Sequence, residues 1–162
     1  MTIIRRSDVA RQTAPSSYPE EFNTAPSDFS FRPISDALGL TQFGLAEEVL
    51  EPGSSVSLLH WHEEEDEFLY LLAGELTVIE SREGDETRTI LEPGDCAGWP
   101  AGEPVGHAIY NHTDMPCRYL ILGTRKAAEV GHYPGRDLLF IRDETGASYT
   151  HLDGTPYPKK EG

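Results

Sequence analysis

Long apolar runs are missing from this chain of 162 residues, and no stretch approaches the ~20 apolar residues that a transmembrane helix requires. Near the N-terminus, the polar segment from Ser7 to Arg11 stands where a secretory signal peptide has its apolar core. A membrane-spanning or exported protein is therefore not expected. We predict a soluble protein of the cytoplasm.

Cysteine is also scarce. The sequence has two cysteines, Cys96 and Cys117, and neither belongs to a Cys-x-x-Cys pair. Two cysteines are too few for a disulfide framework, and the missing pair argues against a zinc ribbon or a thioredoxin-like redox motif. We expect two reduced thiols within strands.

Positively charged residues are few as well: 13 lysines and arginines stand against 28 aspartates and glutamates, for a formal net charge of −15. A surface of this sign repels phosphate backbones and anionic lipids, which argues against nucleic acid or a membrane as a partner. The same surface attracts cations. We expect a small-molecule substrate.

Glycine and proline are plentiful by contrast, with 15 and 12 residues spread along the chain. This distribution predicts many short strands joined by turns. In the strand predicted at 41–50, the apolar residues Phe43, Leu45 and Val49 are expected on the buried face. The strand predicted at 67–72 is apolar on both faces and needs cover on both. Further strands are expected at 54–62, 76–80, 89–91, 96–99, 107–111, 118–124 and 138–142, with a short helix at 126–130.

Four side chains form the candidate functional site. His60 and His62 are two residues apart on a predicted strand, so their imidazoles face the same side. Glu67 begins the returning strand, and His107 arrives from a second hairpin. Three imidazoles and one carboxylate suit a divalent transition metal such as Mn, Fe, Ni, Zn or Cu better than Ca or Mg. Such a set leaves coordination positions free for a substrate.

The remaining polar residues near this site are expected to be structural or solvated. The acidic residues between His62 and Glu67 do not all face inward, so we interpret them as a solvated turn. His112 and His132 lie in turn-like surroundings and are expected at the surface.

The pattern resembles the two motifs of the cupin superfamily. Gly53-x6-His60-x-His62-x4-Glu67-x6-Gly74 is similar to the first motif, and Gly94-x5-Pro100-x-Gly102-x4-His107-x3-Asn111 is similar to the second. The resemblance implies an all-β, double-stranded β-helix (jelly-roll) barrel with a metal in its mouth, and a structural role for Asn111. The expected organisation is an N-terminal arm at 1–28, a barrel core at 29–126 and a short C-terminal extension at 127–162 packed on the barrel. Small cupins of this kind also resemble homodimers.

The fold does not by itself name a reaction. The interpretation that we favour is a metal-dependent isomerase or epimerase acting on a sugar or sugar-phosphate-like molecule, with Glu67 or a neighbouring acid as the base. One alternative is a metal-dependent dioxygenase. The other is a non-catalytic cupin that binds a small molecule or a metal.

Overall fold

The computed structural model describes residues 3–23 and 29–158. Within these residues the chain is almost entirely β-structure. Helical structure is limited to two 3-10 turns at Arg6–Asp8 and Glu20–Phe22 and one short helix, α1, at Ile34–Leu38. The strands are β1 (Phe29–Pro33), β2 (Phe43–Leu50), β3 (Trp61–His62), β4 (Glu67–Ala73), β5 (Leu76–Arg82), β6 (Asp85–Leu91), β7 (Cys96–Trp99), β8 (Val105–Tyr110), β9 (Cys117–Thr124), β10 (Glu129–His132), β11 (Leu139–Asp143) and β12 (Gly146–Thr150).

The strands form three antiparallel sheets. One has five strands in the order β1-β2-β9-β4-β7, and a second has three in the order β6-β5-β8. A third, in the order β12-β11-β10-β3, joins the C-terminal strands to the strand that carries His62. This architecture confirms the all-β jelly-roll prediction. The boundaries at residues 28 and 126 between arm, barrel and extension stay a prediction.

The core fills the space between the five-stranded and three-stranded sheets. Leu69 and Leu71 of β4 are fully buried, as is Leu76 of β5. Alternate residues of a strand face opposite sides, so each strand contributes every second side chain to this core. The buried cluster also contains Leu50, Val78, Leu91, Trp99, Ile109, Cys117 and Tyr119.

The sequence Glu-Pro-Gly occurs twice, at 51–53 and 92–94, and each copy forms a turn directly after a strand. Gly53 and Gly94 both have positive φ, at 71° and 102°, which is a conformation that glycine adopts without steric cost. The amide of Gly53 donates to the carbonyl oxygen of Asn111 at 2.9 Å, and that of Gly94 donates to the carbonyl oxygen of Leu71 at 2.9 Å. Each turn is therefore tied to a strand of the barrel.

The predicted face of β2 is buried at Val49, but the strand contributes its other face, with Leu50, to the barrel core. Glu48 of β2 lies opposite Tyr119 of β9 and accepts its hydroxyl hydrogen bond at 2.7 Å, so the face that carries Glu48 points into the barrel. The apolar face with Leu45 and Val49 points outward, together with Glu47. Arg6 from the N-terminal arm covers this outer face and donates to both carboxylate oxygens of Glu47 at 2.9 Å.

The helix predicted at 126–130 is also wrong. Residues Glu129–His132 form β10, which pairs with β11 on one side and with β3 on the other. Pairing with two strands satisfies the backbone groups of β10 and outweighs the local helix propensity of its first residues. The sequence also missed β1 and β12. Strands β5 and β6 form an antiparallel hairpin with its turn near Gly84.

Both cysteines are free thiols, as predicted: Cys96 is exposed and Cys117 is buried. Burial raises the pKa of the Cys117 thiol to about 11. Among the described residues, no helix is long and apolar enough to cross a bilayer.

Candidate metal centre

Backbone pairing brings the two predicted hairpins together at the mouth of the barrel. His60 and His107 form an antiparallel bridge in which each amide donates to the other residue's carbonyl oxygen, at 3.0 and 2.8 Å. His62 follows on β3, and Glu67 is the first residue of β4. The first and second motifs therefore meet at one site.

Three of the four predicted side chains, the imidazoles, converge on one carboxylate oxygen of the fourth, Glu67. Oε2 of Glu67 lies 2.9 Å from Nε2 of His107, 3.6 Å from Nε2 of His62 and 3.8 Å from Nε2 of His60. His107 is almost fully buried, and the other three side chains are between 13% and 21% exposed. The site is thus an inward-facing cluster with limited access to solvent.

Hydrogen bonds behind the rings orient two of the histidines. Nδ1 of His60 lies 2.8 Å from the carbonyl oxygen of Leu58, and Nδ1 of His107 lies 3.4 Å from that of Val105. A carbonyl oxygen only accepts, so Nδ1 of His60 carries the proton and its Nε2 presents a lone pair to the site. This tautomer is the one that binds a metal through Nε2.

Aromatic residues support the rings from outside the cluster. Trp99 stacks on His107 with ring centroids 4.0 Å apart and an interplanar angle of 9°. The Trp99 indole N–H donates to Oε1 of Glu80 at 2.9 Å, which fixes the indole in turn. Tyr133 lies parallel to His60 with centroids 6.0 Å apart. Trp99 therefore packs against His107 from the core.

The ionisation states follow from burial and from the shared carboxylate. Burial lowers the pKa of His60 to about 4, so this imidazole is neutral at neutral pH. Burial also acts to lower the pKa of His62, but the hydrogen bond and charge of Glu67 outweigh it, and the pKa is raised. For Glu67 itself, burial acts to raise the pKa, and hydrogen bonds from His107 and His62 lower it well below its ordinary value. Glu67 is therefore a carboxylate at neutral pH.

The donor geometry of His60, His62 and Glu67 fits a transition metal, and His107 is connected to this group through its contact with Glu67. Neighbouring ligands of an ion with bonds of about 2.1 Å lie about 3 Å apart, and opposite ligands about 4.2 Å apart. The distances of 2.9, 3.6 and 3.8 Å fall in this range. In addition, the ligand atoms of His60, His62 and Glu67 all lie within 4.8 Å of one another. The bare Nε2 of His60 faces a carboxylate oxygen, and two such acceptors repel each other unless a cation lies between them.

Sequence reasoning missed two acidic residues near this cluster. Glu129 of β10 is buried, and its Oε1 lies 3.5 Å from Nδ1 of His62. Glu48 faces into the barrel, and burial raises its pKa to about 7, with a contribution from the charge of Glu67. Glu129 has no motif to mark it, whereas the alternation of β2 places Glu48 on the face opposite Leu45 and could have identified it.

The acidic turn differs from the prediction at one position. Glu63, Glu64 and Asp66 are exposed, as expected, but Glu65 is largely buried. The Glu65 Oε1 atom accepts from the Arg142 guanidinium at 2.5 Å. An arginine from the C-terminal extension therefore neutralises the one member of the turn that leaves solvent.

The two unassigned histidines have different surroundings. His112 is exposed, and its Nδ1 lies 2.9 Å from Oγ1 of Thr77. His132 stacks on Trp61 at 4.1 Å, and its Nε2 lies 2.7 Å from Oε1 of Glu63. His112 confirms the surface prediction, whereas His132 is only partly exposed and braces β3. Asn111 confirms its structural role: it is fully buried and donates to the carbonyl oxygens of Leu50 and Met115.

Comparisons with known proteins give the same fold. A family model described as the cupin domain matches residues 46–123. The structure of a sugar phosphate isomerase from a cupin superfamily, from Silicibacter pomeroyi, is 36% identical with a TM-score of 0.87, and the match covers 96% of both chains. A proposed sugar phosphate isomerase from Acidithiobacillus ferrooxidans is 25% identical with a TM-score of 0.71 over 83% of both chains.

A more distant structure shares the fold alone. The polyketide cyclase RemF from Streptomyces resistomycificus is 23% identical with a TM-score of 0.58, over 78% of this chain and 80% of its own. A search of curated proteins gives no significant match. The resemblance predicted from the two histidine motifs is thus confirmed by a relative that aligns along nearly the whole chain, and this protein belongs to the cupin superfamily.

Proposed function

We propose that the protein is a metal-dependent isomerase or epimerase that acts on a sugar or a sugar-phosphate-like small molecule. The observation that carries this proposal is the convergence of three imidazole nitrogens on the Glu67 carboxylate, at 2.9, 3.6 and 3.8 Å. The 36% identical structure described as a sugar phosphate isomerase supports the choice of reaction.

The proposed ligands are His60, His62, Glu67 and His107, around one divalent ion of Mn, Fe, Ni, Zn or Cu. Three neutral imidazoles and one carboxylate leave a net positive charge at the site. When bound, such an ion acts as a Lewis acid that polarises a carbonyl and a neighbouring hydroxyl of the substrate. The chain's own contribution is to hold the three imidazole nitrogens and the carboxylate at fixed positions.

A proton must then move between carbon atoms. In an aldose–ketose isomerisation a base removes the proton from the carbon beside the carbonyl, the proton on the base exchanges with solvent, and a proton is then delivered to the carbonyl carbon while a hydroxyl proton moves between the two oxygens. In an epimerisation the proton returns to the same carbon from the opposite face. Glu67 is the first candidate for this base, because only its Oε2 contacts the histidines and Oε1 remains to accept a proton.

Glu48 is the neighbouring acid that best suits this role if Glu67 acts only as a ligand. Its pKa of about 7 lies near the operating pH, where a general base is most effective. The Tyr119 hydroxyl donates to Oε2 of Glu48 at 2.7 Å and holds the carboxyl group in one orientation. The two candidates differ in their pH dependence, since Glu67 stays ionised far below neutral pH and Glu48 titrates near it.

The electrostatics of the site favour a neutral reacting end of the substrate. Across residues 3–23 and 29–158, no lysine or arginine forms a hydrogen bond or ion pair with the four proposed ligands. With the chain's net charge of −15, this arrangement suits a polyol with its hydroxyl and carbonyl groups toward the cluster. A phosphate group on the substrate would be bound farther away.

The test of this proposal is proton exchange at carbon. The metal-loaded protein is incubated in D2O with a panel of aldoses, ketoses and their phosphates, and NMR follows deuterium entry beside the carbonyl. We expect exchange and product formation with one substrate class, and a loss of at least about 100-fold in Glu67→Gln, whereas Glu47→Gln on the outer face serves as the matched control.

Two outcomes overturn the proposal in favour of the alternatives. Oxygen consumption with Fe²⁺ and an organic substrate, without proton exchange, identifies a dioxygenase. Tight substrate binding with neither exchange nor oxygen uptake identifies a non-catalytic binding protein.

We also propose that the protein is a cytoplasmic homodimer. Phe68 and Tyr70 on the outer face of β4 each remain 39% exposed in the single chain, and a second copy is the cover that we propose for them. The free thiols of Cys96 and Cys117 support a reducing compartment.

A further inference from the structure

Glu129 is an acidic side chain buried behind the proposed metal ligands. It is the first residue of β10 and is 1% exposed. The Glu129 Oε1 atom accepts from the backbone N–H of Glu63 at 3.0 Å, and Oε2 accepts from that of Glu64 at 3.2 Å. Oε1 also lies 3.5 Å from Nδ1 of His62. A single carboxylate therefore contacts both the acidic turn and the back of a ligand ring.

A second metal ion is one explanation for this cluster, since His62, Glu65 and Glu129 bring three potential ligand atoms within 4.8 Å of one another. The existing contacts argue against it. The Glu65 Oε1 atom already accepts from the Arg142 guanidinium at 2.5 Å and from the Lys126 backbone N–H at 2.8 Å. A guanidinium in contact with the carboxylate is the wrong neighbour for a cation, and the oxygens of Glu129 already accept backbone donors.

The His62 ring, in contrast, lacks a hydrogen bond at one of its nitrogens. Its Nδ1 atom is buried and has no hydrogen-bond partner. Buried polar atoms in folded proteins are nearly always partnered, and the carboxylate of Glu129 is the acceptor at hand, at 3.5 Å. A small rotation of the ring converts this contact into a hydrogen bond.

We propose that Glu129 is a positioning residue that accepts the Nδ1–H of His62 and so directs Nε2 of this ring toward Glu67. The inference rests on the metal site proposed above. Metal-ligating histidines commonly donate their second ring N–H to a carboxylate, which fixes the tautomer and strengthens the ligand. His60 and His107 have backbone carbonyls in this place, at Leu58 and Val105. His62 is the ligand that uses a side chain, and that side chain comes from the C-terminal extension.

The register of the third sheet makes this assignment specific. β10 pairs with β3 so that Gly131 lies opposite His62 and His132 lies opposite Trp61. The Glu63 amide donates to the carbonyl oxygen of Val130 at 3.0 Å, which continues the pairing past the end of β3. Glu129 is thus delivered beside His62 by backbone pairing and not by a flexible loop.

The experiment compares Glu129→Gln and Glu129→Ala with the wild-type protein. In the metal-free protein, long-range ¹H–¹⁵N correlation spectra report which nitrogen of His62 carries the proton. We expect a proton on Nδ1 of His62 in the wild type, and a mixture of rings with and without a proton on Nδ1 in Glu129→Ala. Affinity for Zn²⁺ and Mn²⁺, measured by competition with a chromophoric chelator, should fall about 10- to 100-fold in both variants.

Glu47→Gln is the matched control, because Glu47 is also a buried strand carboxylate but binds Arg6 and Arg32 on the outer face. It should leave both the tautomer and the metal affinity unchanged. If Glu129→Ala does not fold, Glu129→Gln decides the question, since it keeps the shape of the side chain and removes the charge and one of the two acceptor oxygens.

Wild-type affinity and a wild-type His62 tautomer in the Glu129 variants would overturn the inference. Failure of the wild-type protein itself to bind a metal would instead overturn the proposed function. In that case the protonation of His62 in the metal-free protein would still test the role of Glu129. A failure of the inference can therefore be distinguished from a failure of the proposed function.

Discussion

Glu47 and Glu48 are neighbours in the sequence, but their pKa values are shifted in opposite directions. Glu47 lies on the outer face of β2, where the hydrogen bond from Arg6 outweighs burial and lowers its pKa. Glu48 lies on the inner face, where burial raises its pKa to about 7. The alternation of a strand therefore places one carboxylate among arginines and the next inside the barrel.

Glu48→Gln should change how stability depends on pH. The folded-state pKa of Glu48 is above its unfolded value, so the folded protein binds the extra proton between about pH 4.5 and 7 and loses stability as the pH rises through this window. Glutamine removes this titration. We expect the variant to gain on the order of 1–3 kcal/mol relative to the wild type between pH 4.5 and 8. Urea unfolding of metal-free protein across this range measures the difference, and parallel profiles would refute it.

Glu47→Gln is the paired control with the opposite sign. The lowered pKa of Glu47 means that its contribution is present above the unfolded pKa and is lost as the pH falls through the folded pKa. The variant should be less stable than the wild type at neutral pH, with a deficit that shrinks in acid and stays constant between pH 5 and 8. A deficit that varied over the neutral range would contradict this assignment.

The four proposed ligands could be predicted from the sequence because each is marked locally. His60 and His62 share the phase of a strand, Glu67 begins the returning strand, and His107 follows a loop of glycine and proline. Glu129 carries no such mark. Its role depends on β10 pairing with β3 across more than 60 positions of sequence, and no local pattern encodes that pairing.

At the level of elements, Gly74 lies tightly against the backbone of a neighbouring strand. It follows β4 with a φ of 79°, and a Cβ atom there would lie 2.9 Å from the Cα of Cys117 in β9. Gly53 has a similar φ of 71°, but a Cβ atom there meets nothing within 4 Å. A substitution at Gly53 therefore introduces backbone strain alone, whereas one at Gly74 introduces both strain and a steric clash.

Gly74→Ala should destabilise the protein by about 2–4 kcal/mol, because left-handed strain and overlap with a neighbouring backbone add together. Gly53→Ala should cost about 1 kcal/mol, since it suffers strain alone. Urea denaturation of both variants without metal measures the two losses. Equal losses would show that the contact with Cys117 relaxes at no cost.

Segments distant in sequence decided two features that the local pattern could not. Local pattern favoured a helix at 126–130, where a strand forms, and it placed Leu45 and Val49 on the buried side of β2 without indicating that the arm covers this side. β10 is held between β3 and β11, and the outer face of β2 is covered by the arm through Arg6. Propensity and periodicity are properties of one segment, whereas its secondary structure and the cover of its faces also depend on the segments packed against it.

At the scale of the whole molecule, an apolar patch on the five-stranded sheet predicts a homodimer. Phe68 and Tyr70 of β4 are exposed beside Leu122 and Leu120 of β9. Replacing Phe68 and Tyr70 together by serine should shift a wild-type dimer to a monomer in sedimentation velocity at micromolar concentration. Ile90→Ser, at a 57% exposed position of β6, is the control and should leave the dimer intact. A monomeric wild-type protein would contradict the proposal.

The central claim is that one transition metal ion is held at the barrel mouth by His60, His62, Glu67 and His107. It is tested most directly by elemental analysis of protein purified without chelators, followed by titration of the metal-free form with Mn²⁺, Fe²⁺, Ni²⁺, Zn²⁺ and Cu²⁺. The account predicts one ion per chain, with uptake lost in His62→Ala and in His107→Ala and retained in Glu47→Gln. No stoichiometric uptake by the wild-type protein, or uptake that survives the loss of these histidines, would contradict it.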